Sequence, residues 1–229
     1  MWSGDVHSSF RALREQIQAG INMGVAGISW WTTDIGGFLG GDPKDEEFRE
    51  LMIRWFQWGA FSPVFRMHGA RQPFLQLEEE YRDGVKQFTS GQDNEVWSYG
   101  EENYDIFVKY LHLREGLKPY LRQCMKDAHE TGLPVMRAMF IDFPEDPRCW
   151  EVEGQYMLGK DILVAAVLNN GDRTRTLYLP KGADWIYAPD MSEYEGGQIV
   201  TVDAPLEIIP VFTRSSSNLS IEMKNYRIS

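Results

Sequence analysis

Three polar residues stand at the ends of apolar runs. Asp5 closes Trp2-Ser3-Gly4-Asp5, Asp34 closes Ile28–Asp34 and leads into Gly36-Gly37, and His68 closes Phe61–His68 just before Gly69. The spacing is 29 residues from Asp5 to Asp34 and 34 from Asp34 to His68. Carboxylates and an imidazole can trade protons with a bound molecule, and aromatic neighbours such as Trp2, Trp31 and Phe38 offer flat faces to a sugar ring. Polar groups at the carboxyl ends of successive strands, with helices between them, are how a (β/α) barrel presents an active site.

The elements that must hold these residues can be read from the pattern. Residues 8–23 read as a helix, with Phe10, Leu13, Ile17 and Ile21 at helical spacing and Ser8 or Ser9 as N-cap. On sequence alone Asp5 could equally serve that helix as a cap. Val25–Trp31 has strand length, and the Gly-rich stretch 36–45 reads as a functional loop. Glu46–Gly59 is the next helix and Phe61–Met67 the next strand, which completes a βαβ alternation. Residues 70–100 read as irregular. Glu101–Gly116 is an amphipathic helix that Pro119 is expected to break, with a second helix running to Glu130.

Beyond residue 133 the period changes to short β-runs: 135–141, 156–158, 162–167, 174–179, 198–202 and 206–212. Turn residues separate them, as in a small β-sandwich. The expected fold is therefore α/β plus all-β. Residues 1–132 form the last part of a (β/α)8 TIM barrel, 133–213 a C-terminal β-sandwich, and 214–229 a poorly ordered tail.

Composition narrows the function. The 229 residues carry a net charge of −11, which argues against nucleic acid. No apolar run is long enough to span a membrane, and no secretory pattern opens the chain, so a cytoplasmic location is expected. Cys124 and Cys149 show no metal-ligand spacing, and Cys124 reads as a core residue rather than a nucleophile. His7, His112 and His129 have no partners at ligand spacing.

The motifs WSGD, WWTTDIGGF, ELMIRWFQWGAFSPVFRMHG, LKPYL and GLPVMRAMFIDFPEDP resemble the retaining α-glycosidases of glycoside hydrolase family 31, as do QYMLGKDILVAAV and GGQIVTVDAPLEIIPVF. The resemblance runs from residue 2 to about residue 213. It implies that Asp5 is the general acid/base. Such an acid must stay protonated near neutral pH, which poorly hydrated aromatic surroundings favour, and Trp2 is a suitable neighbour. It places Asp34 at the floor of the sugar site, where ligand contact and a structural bond to a neighbouring Arg are both open. Phe38 matches an aromatic that lines the sugar subsite, against the plainer reading that it packs its loop. His68 matches a His that hydrogen-bonds a sugar hydroxyl, and Arg66 braces the carboxylates. Trp30 and Trp31 alternate sides, so at most one faces the site. Trp31 is taken as site support.

The resemblance implies no metal or organic cofactor. The expected partner is an oligosaccharide or glycoside, with terminal α-glucosides first and α-xylosides as nearest rival. Retention requires two carboxyl groups about 5–5.5 Å apart. The family's nucleophile motif, on an earlier strand, does not occur here. The chain therefore reads as a C-terminal fragment that is inactive alone. A structural, non-catalytic piece that needs the missing barrel half, or another chain in an oligomer, is the alternative. A free-standing carbohydrate-binding module is weaker.

Overall fold

The computed structural model describes residues 1–75, 81–82, 85–86, 90–222 and 227–228. Helix α1 spans Phe10–Val25, and its N-cap is Ser9, whose Oγ accepts from the Ala12 amide (3.1 Å). Asp5 is thus not the cap. Leu13, Ile17, Gly20, Ile21 and Gly24 form the buried face of α1. The two glycines let it dock closely. A Cβ at Gly20 would come within 2.7 Å of the Trp31 ring, and one at Gly24 within 2.5 Å of the Met136 carbonyl oxygen. Gly24→Ala should gain about 1 kcal/mol of helix propensity. Overpacking against fixed backbone costs about 1–3 kcal/mol and should win. The thermal midpoint is therefore expected to fall, and an unchanged or raised midpoint would refute this packing.

Helix α2 spans Glu46–Ala60, capped by Asp45, with Glu46 and Glu47 facing the positive end of its dipole. From Leu51 to Ala60 it is buried on every side, because it lies between the parallel segments, the next helix and the sandwich. That helix, α3, runs unbroken over Glu101–Thr131. The break expected at Pro119 does not occur. Pro119 is exposed, and the buried stripe Leu113, Leu117, Leu121, Cys124 and Ala128 continues on both sides of it. Packing of that stripe outweighs one lost backbone bond. Gly132, left-handed at φ 78°, ends the helix.

Three segments pair in parallel and in chain order: 1–8, 31–39 and 64–70. Bridges join Trp2 to Thr32, His7 to Leu39, and Leu39 to Ala70. The pairing starts later than the apolar runs suggested. Residue 25 still belongs to α1 and Phe61 closes α2, so the extended segments begin at residues 31 and 64 and carry on through the loops.

Six of the other strands form an antiparallel sheet. Its order is Glu193–Tyr194, Trp185–Tyr187, Val211–Arg214, Ile162–Ala165, Gln155–Leu158 and Met136–Arg137. An antiparallel pair, Thr174–Leu179 with Gln198–Asp203, covers one face. Met157, Leu163 and Ala165 point to that pair with Leu177, Val200 and Trp185. Tyr156, Leu158, Ile162 and Val164 point the other way, into the core shared with α2 and α3. Burial on both faces explains the unbroken apolar runs.

Three details differ from the sequence reading. The run 135–141 is a two-residue strand followed by the short helix Met139–Asp142. The run 206–212 turns first and enters its strand only at Val211. Part of the tail is ordered: Ile221 is buried, and Ile221–Glu222 pairs with Arg227–Ile228. Residues 223–226 and 229 of the tail, and most of the irregular stretch 76–89, lie outside the described residues. Arg71–Leu75 and Ser90–Gln92 at its two ends pair with each other.

Arg54 joins the two regions. It is 1% exposed, and its guanidinium donates to the carbonyls of Ile208 (2.8 Å), Asp172 (3.0 Å), Ala204 (3.0 Å) and Pro205 (3.1 Å). Burial lowers its pKa to about 10, against the opposing pull of Glu50, so it stays charged at neutral pH. Gln57 Nε2 adds a bond to the Leu206 carbonyl, and Tyr110 OH one to that of Glu207.

Candidate active site

The parallel rungs decide where the polar residues stand. The Ser3 amide donates to the Thr32 carbonyl (3.1 Å), and the amides of Phe38 and Leu39 donate to the Val6 carbonyl (2.8 and 2.9 Å). Asp5 and Asp34 therefore both lie between the same two rungs. The Ile35 amide donates to the Arg66 carbonyl (3.2 Å) and the Ala70 amide to the Phe38 carbonyl (2.8 Å), which sets His68 beside Phe38 in the same way. The three loops that follow the parallel segments thus share one edge.

Asp34 is fully buried, and its Oδ1 accepts a short, charge-assisted bond from Arg66 Nη1. Its other oxygen, Oδ2, is buried without a hydrogen-bond partner among the described residues. Arg66 also lies 5.3 Å from the Trp2 ring centroid, so Trp2, Arg66 and Asp34 form a connected row. Trp2 is 44% exposed. Phe38 and His68 form a second pair, with ring centroids 5.3 Å apart and tilted by 47°. Asp5 is exposed and has no hydrogen bond or ion pair among the described residues.

Trp31 stands apart from this group. Side chains alternate along the segment, with Thr32 and Asp34 on one face and Trp31 and Ile35 on the other. Trp31 is buried against Gly20 of α1, and Ile35 against Gly59 of α2. Trp31, expected as site support, anchors the segment from behind. Trp30, on the other face, is exposed and lines a groove with Met125 and His129.

Sequence reasoning passed over Arg71 and Arg114. Arg114 of α3 donates to the carbonyls of Ala60 and Pro63 (2.8 and 2.9 Å), fixing the entry to the third segment. Arg71 binds the loops themselves. Nothing in residue type or period marked either one. Only their burial in the fold does. Among the described residues, no group of three or more His, Cys, Asp or Glu is placed to hold a metal, and no helix is long and apolar enough to cross a membrane.

Comparison with known proteins identifies the family. The family profile "Glycosyl hydrolases family 31 TIM-barrel domain" matches residues 1–123, and "Glycosyl hydrolase family 31 C-terminal domain" matches residues 132–218. An α-xylosidase of Saccharolobus solfataricus is 34% identical over 98% of this chain, and an α-glucosidase 2 of Bacillus thermoamyloliquefaciens is 31% identical over 96%. The crystal structure of a family 31 α-xylosidase from a soil metagenome, complexed with xylose, is similar with a TM-score of 0.93 and 56% identity over 95% of this chain. The chain spans 28%, 25% and 32% of the lengths of these three proteins. With both profiles matched in order and the fold reproduced, the chain belongs to glycoside hydrolase family 31.

Proposed function

We propose that this chain carries the acid/base half of a retaining α-glycosidase site and that α-xylosides are its preferred substrates. The observation that carries this reading is the shared edge on which Asp5, Asp34 and His68 stand. In this role Asp5 gives its proton to the leaving glycosidic oxygen while a carboxylate outside this chain attacks the anomeric carbon. Asp5 then takes a proton from the water that releases the sugar. Exposure leaves it free to face an incoming aglycone. Asp34 accepts from a sugar hydroxyl through Oδ2, and Arg66 compensates its buried charge. His68 donates to a second hydroxyl. Phe38 and Trp2 border the ring.

On this reading residues 1–132 supply the barrel part, 133–213 the sandwich that backs it, and 214–229 the tail. A glycoside or oligosaccharide is the partner. Cys124 and Cys149 are both buried free thiols, which suits a reducing, cytoplasmic compartment. Xylosides rank above glucosides because α-xylosidases recur among the relatives, one of them at 56% identity.

The test is hydrolysis of p-nitrophenyl α-xyloside and α-glucoside by the 229-residue chain and by the protein extended upstream through the missing strands. Turnover is expected only in the longer protein. The xyloside should lead by roughly 10–200-fold, the range that one extra methylene-sized group in a pocket commands. Two folded but inactive proteins would end this reading, and a preference for the glucoside would end its specificity.

A further inference from the structure

Arg71 follows His68 by three residues and is fully buried. Its Nη1 donates to the Gly37 carbonyl (2.8 Å) and reaches the Gly40 carbonyl (3.3 Å) and Ser8 Oγ (3.4 Å). Its Nη2 donates to the Ile35 carbonyl (3.1 Å), and its Nε to Asn94 Oδ1 (2.9 Å) and Tyr99 OH (3.0 Å). The guanidinium also lies 5.0 Å from the Phe48 ring centroid. Among the described residues it has no carboxylate within ion-pair distance.

This placement ties together the loops that bear the proposed site residues. The Ile35 and Gly37 carbonyls lie on either side of the turn between Asp34 and Phe38. Ser8 ends the loop that holds Asp5, and Arg71 itself lies just past His68. Glycines pack closely beside the cation. A Cβ on Gly36 would clash first with Met52 Sδ and stand 3.0 Å from Nη2, and one on Gly69 would come within 2.7 Å of the Gly37 carbonyl oxygen and 3.0 Å of both terminal nitrogens. Gly36 and Gly37 also take positive φ, 84° and 77°, which a residue with a side chain adopts only at a cost. A buried cation solvated by loop carbonyls holds those loops only while every partner is in place, because each lost bond leaves a desolvated group.

We propose that Arg71 is the positioning residue that locks the Asp34–Phe38 turn and the Asp5 loop into one arrangement. This rests on the glycosidase reading above. Arg71 touches no sugar in this role. It acts through Asp34, Phe38 and Asp5. The planar fork of five N–H donors is what the site uses, so Lys, with three donors around one point, cannot stand in for it.

The test uses the upstream-extended protein, with rates expressed per titrated active site. R71K is expected to lose on the order of 100-fold in kcat/KM, the scale of an ångström-sized displacement of reacting groups. The loss should be equal for xylosyl fluoride and for a poor leaving group, since the sugar-side loop shifts together with the acid. R71A should lose as much and regain activity with added guanidinium but not with ammonium, a response that general loss of stability would not give. Wild-type kcat/KM in either variant, or a deficit wholly explained by a lower titre of active sites, would overturn the proposal.

Should the wild-type extended protein show no turnover, the glycosidase reading fails, and amide exchange in the 229-residue chain decides the role of Arg71 by itself. Faster exchange in R71K at Phe38, Leu39 and Ala70, with α2 unchanged, supports the lock. Unchanged exchange at those amides refutes it.

Discussion

Asp5→Asn in the upstream-extended protein is expected to lower kcat/KM for xylosides with poor leaving groups by 10²–10⁴-fold, the usual contribution of a positioned acid. Xylosyl fluoride should behave differently. Fluoride departs with little help from an acid, so kcat/KM for it should stay close to that of the unaltered protein. Its kcat should still fall, because the second step needs Asp5 to deprotonate water. A xylosyl-enzyme intermediate should therefore accumulate. Azide, which attacks without a base, should relieve the block and yield xylosyl azide of retained configuration. Asp34→Asn provides the contrast: it should depress both substrates alike, because its proposed contact is to the sugar. An Asp5→Asn protein that loses equally on both leaving groups would remove Asp5 from the acid/base role.

Arg54→Met should destabilise the folded chain by about 3–5 kcal/mol, the scale set by breaking a buried charged network. The carbonyls of Ala204 and Ile208 would lose their donor at once, while that of Pro205 keeps the Ile208 amide and that of Asp172 keeps Arg173 Nη1. A buried polar group left unpaired costs about 1–3 kcal/mol, so two of them account for a loss of this size. The loss should appear as a lower midpoint in urea with little change in slope. Arg54→Lys, with one compact group of donors, should fall in between. A midpoint at the wild-type value for Arg54→Met would mean that apolar contact alone holds the two regions together.

Much of this was legible in the sequence. Period 3.6 located α1 and α2 to within two residues at each end, because each has a well-defined buried face or is buried throughout. Short β-runs between turn residues located Ile162–Ala165 and Thr174–Leu179. What stayed hidden depended on distant partners. Pro119 reads as a breaker until its exposure and the continuing stripe below it are seen. Trp185–Tyr187 is too short to announce itself and becomes a strand only between Val211–Arg214 and Glu193–Tyr194. Trp31 looks like a site aromatic by motif, and only the groove at Gly20 shows that it faces outward. The placement of Asp34 and His68 at chain ends came from the turn glycines beside them. Arg71 could not be found this way, since an Arg in a polar loop is ordinarily solvated.

The six-stranded sheet, covered on both faces, changes what counts as an exchangeable piece of this protein. A sandwich moved from a relative would bring the residues facing its two-stranded layer with it, but Tyr156, Leu158, Ile162 and Val164 would meet a foreign α2 and α3. Tyr156 makes this concrete, because its hydroxyl donates to the Phe61 carbonyl at the C-terminal end of α2 (2.8 Å). The unit that recombines cleanly is therefore the sandwich together with the inner faces of those two helices. Chimeras joined near residue 132 should lose cooperativity in unfolding even where both parents are stable. Those that also carry over the matching face of α2 and α3 should keep it.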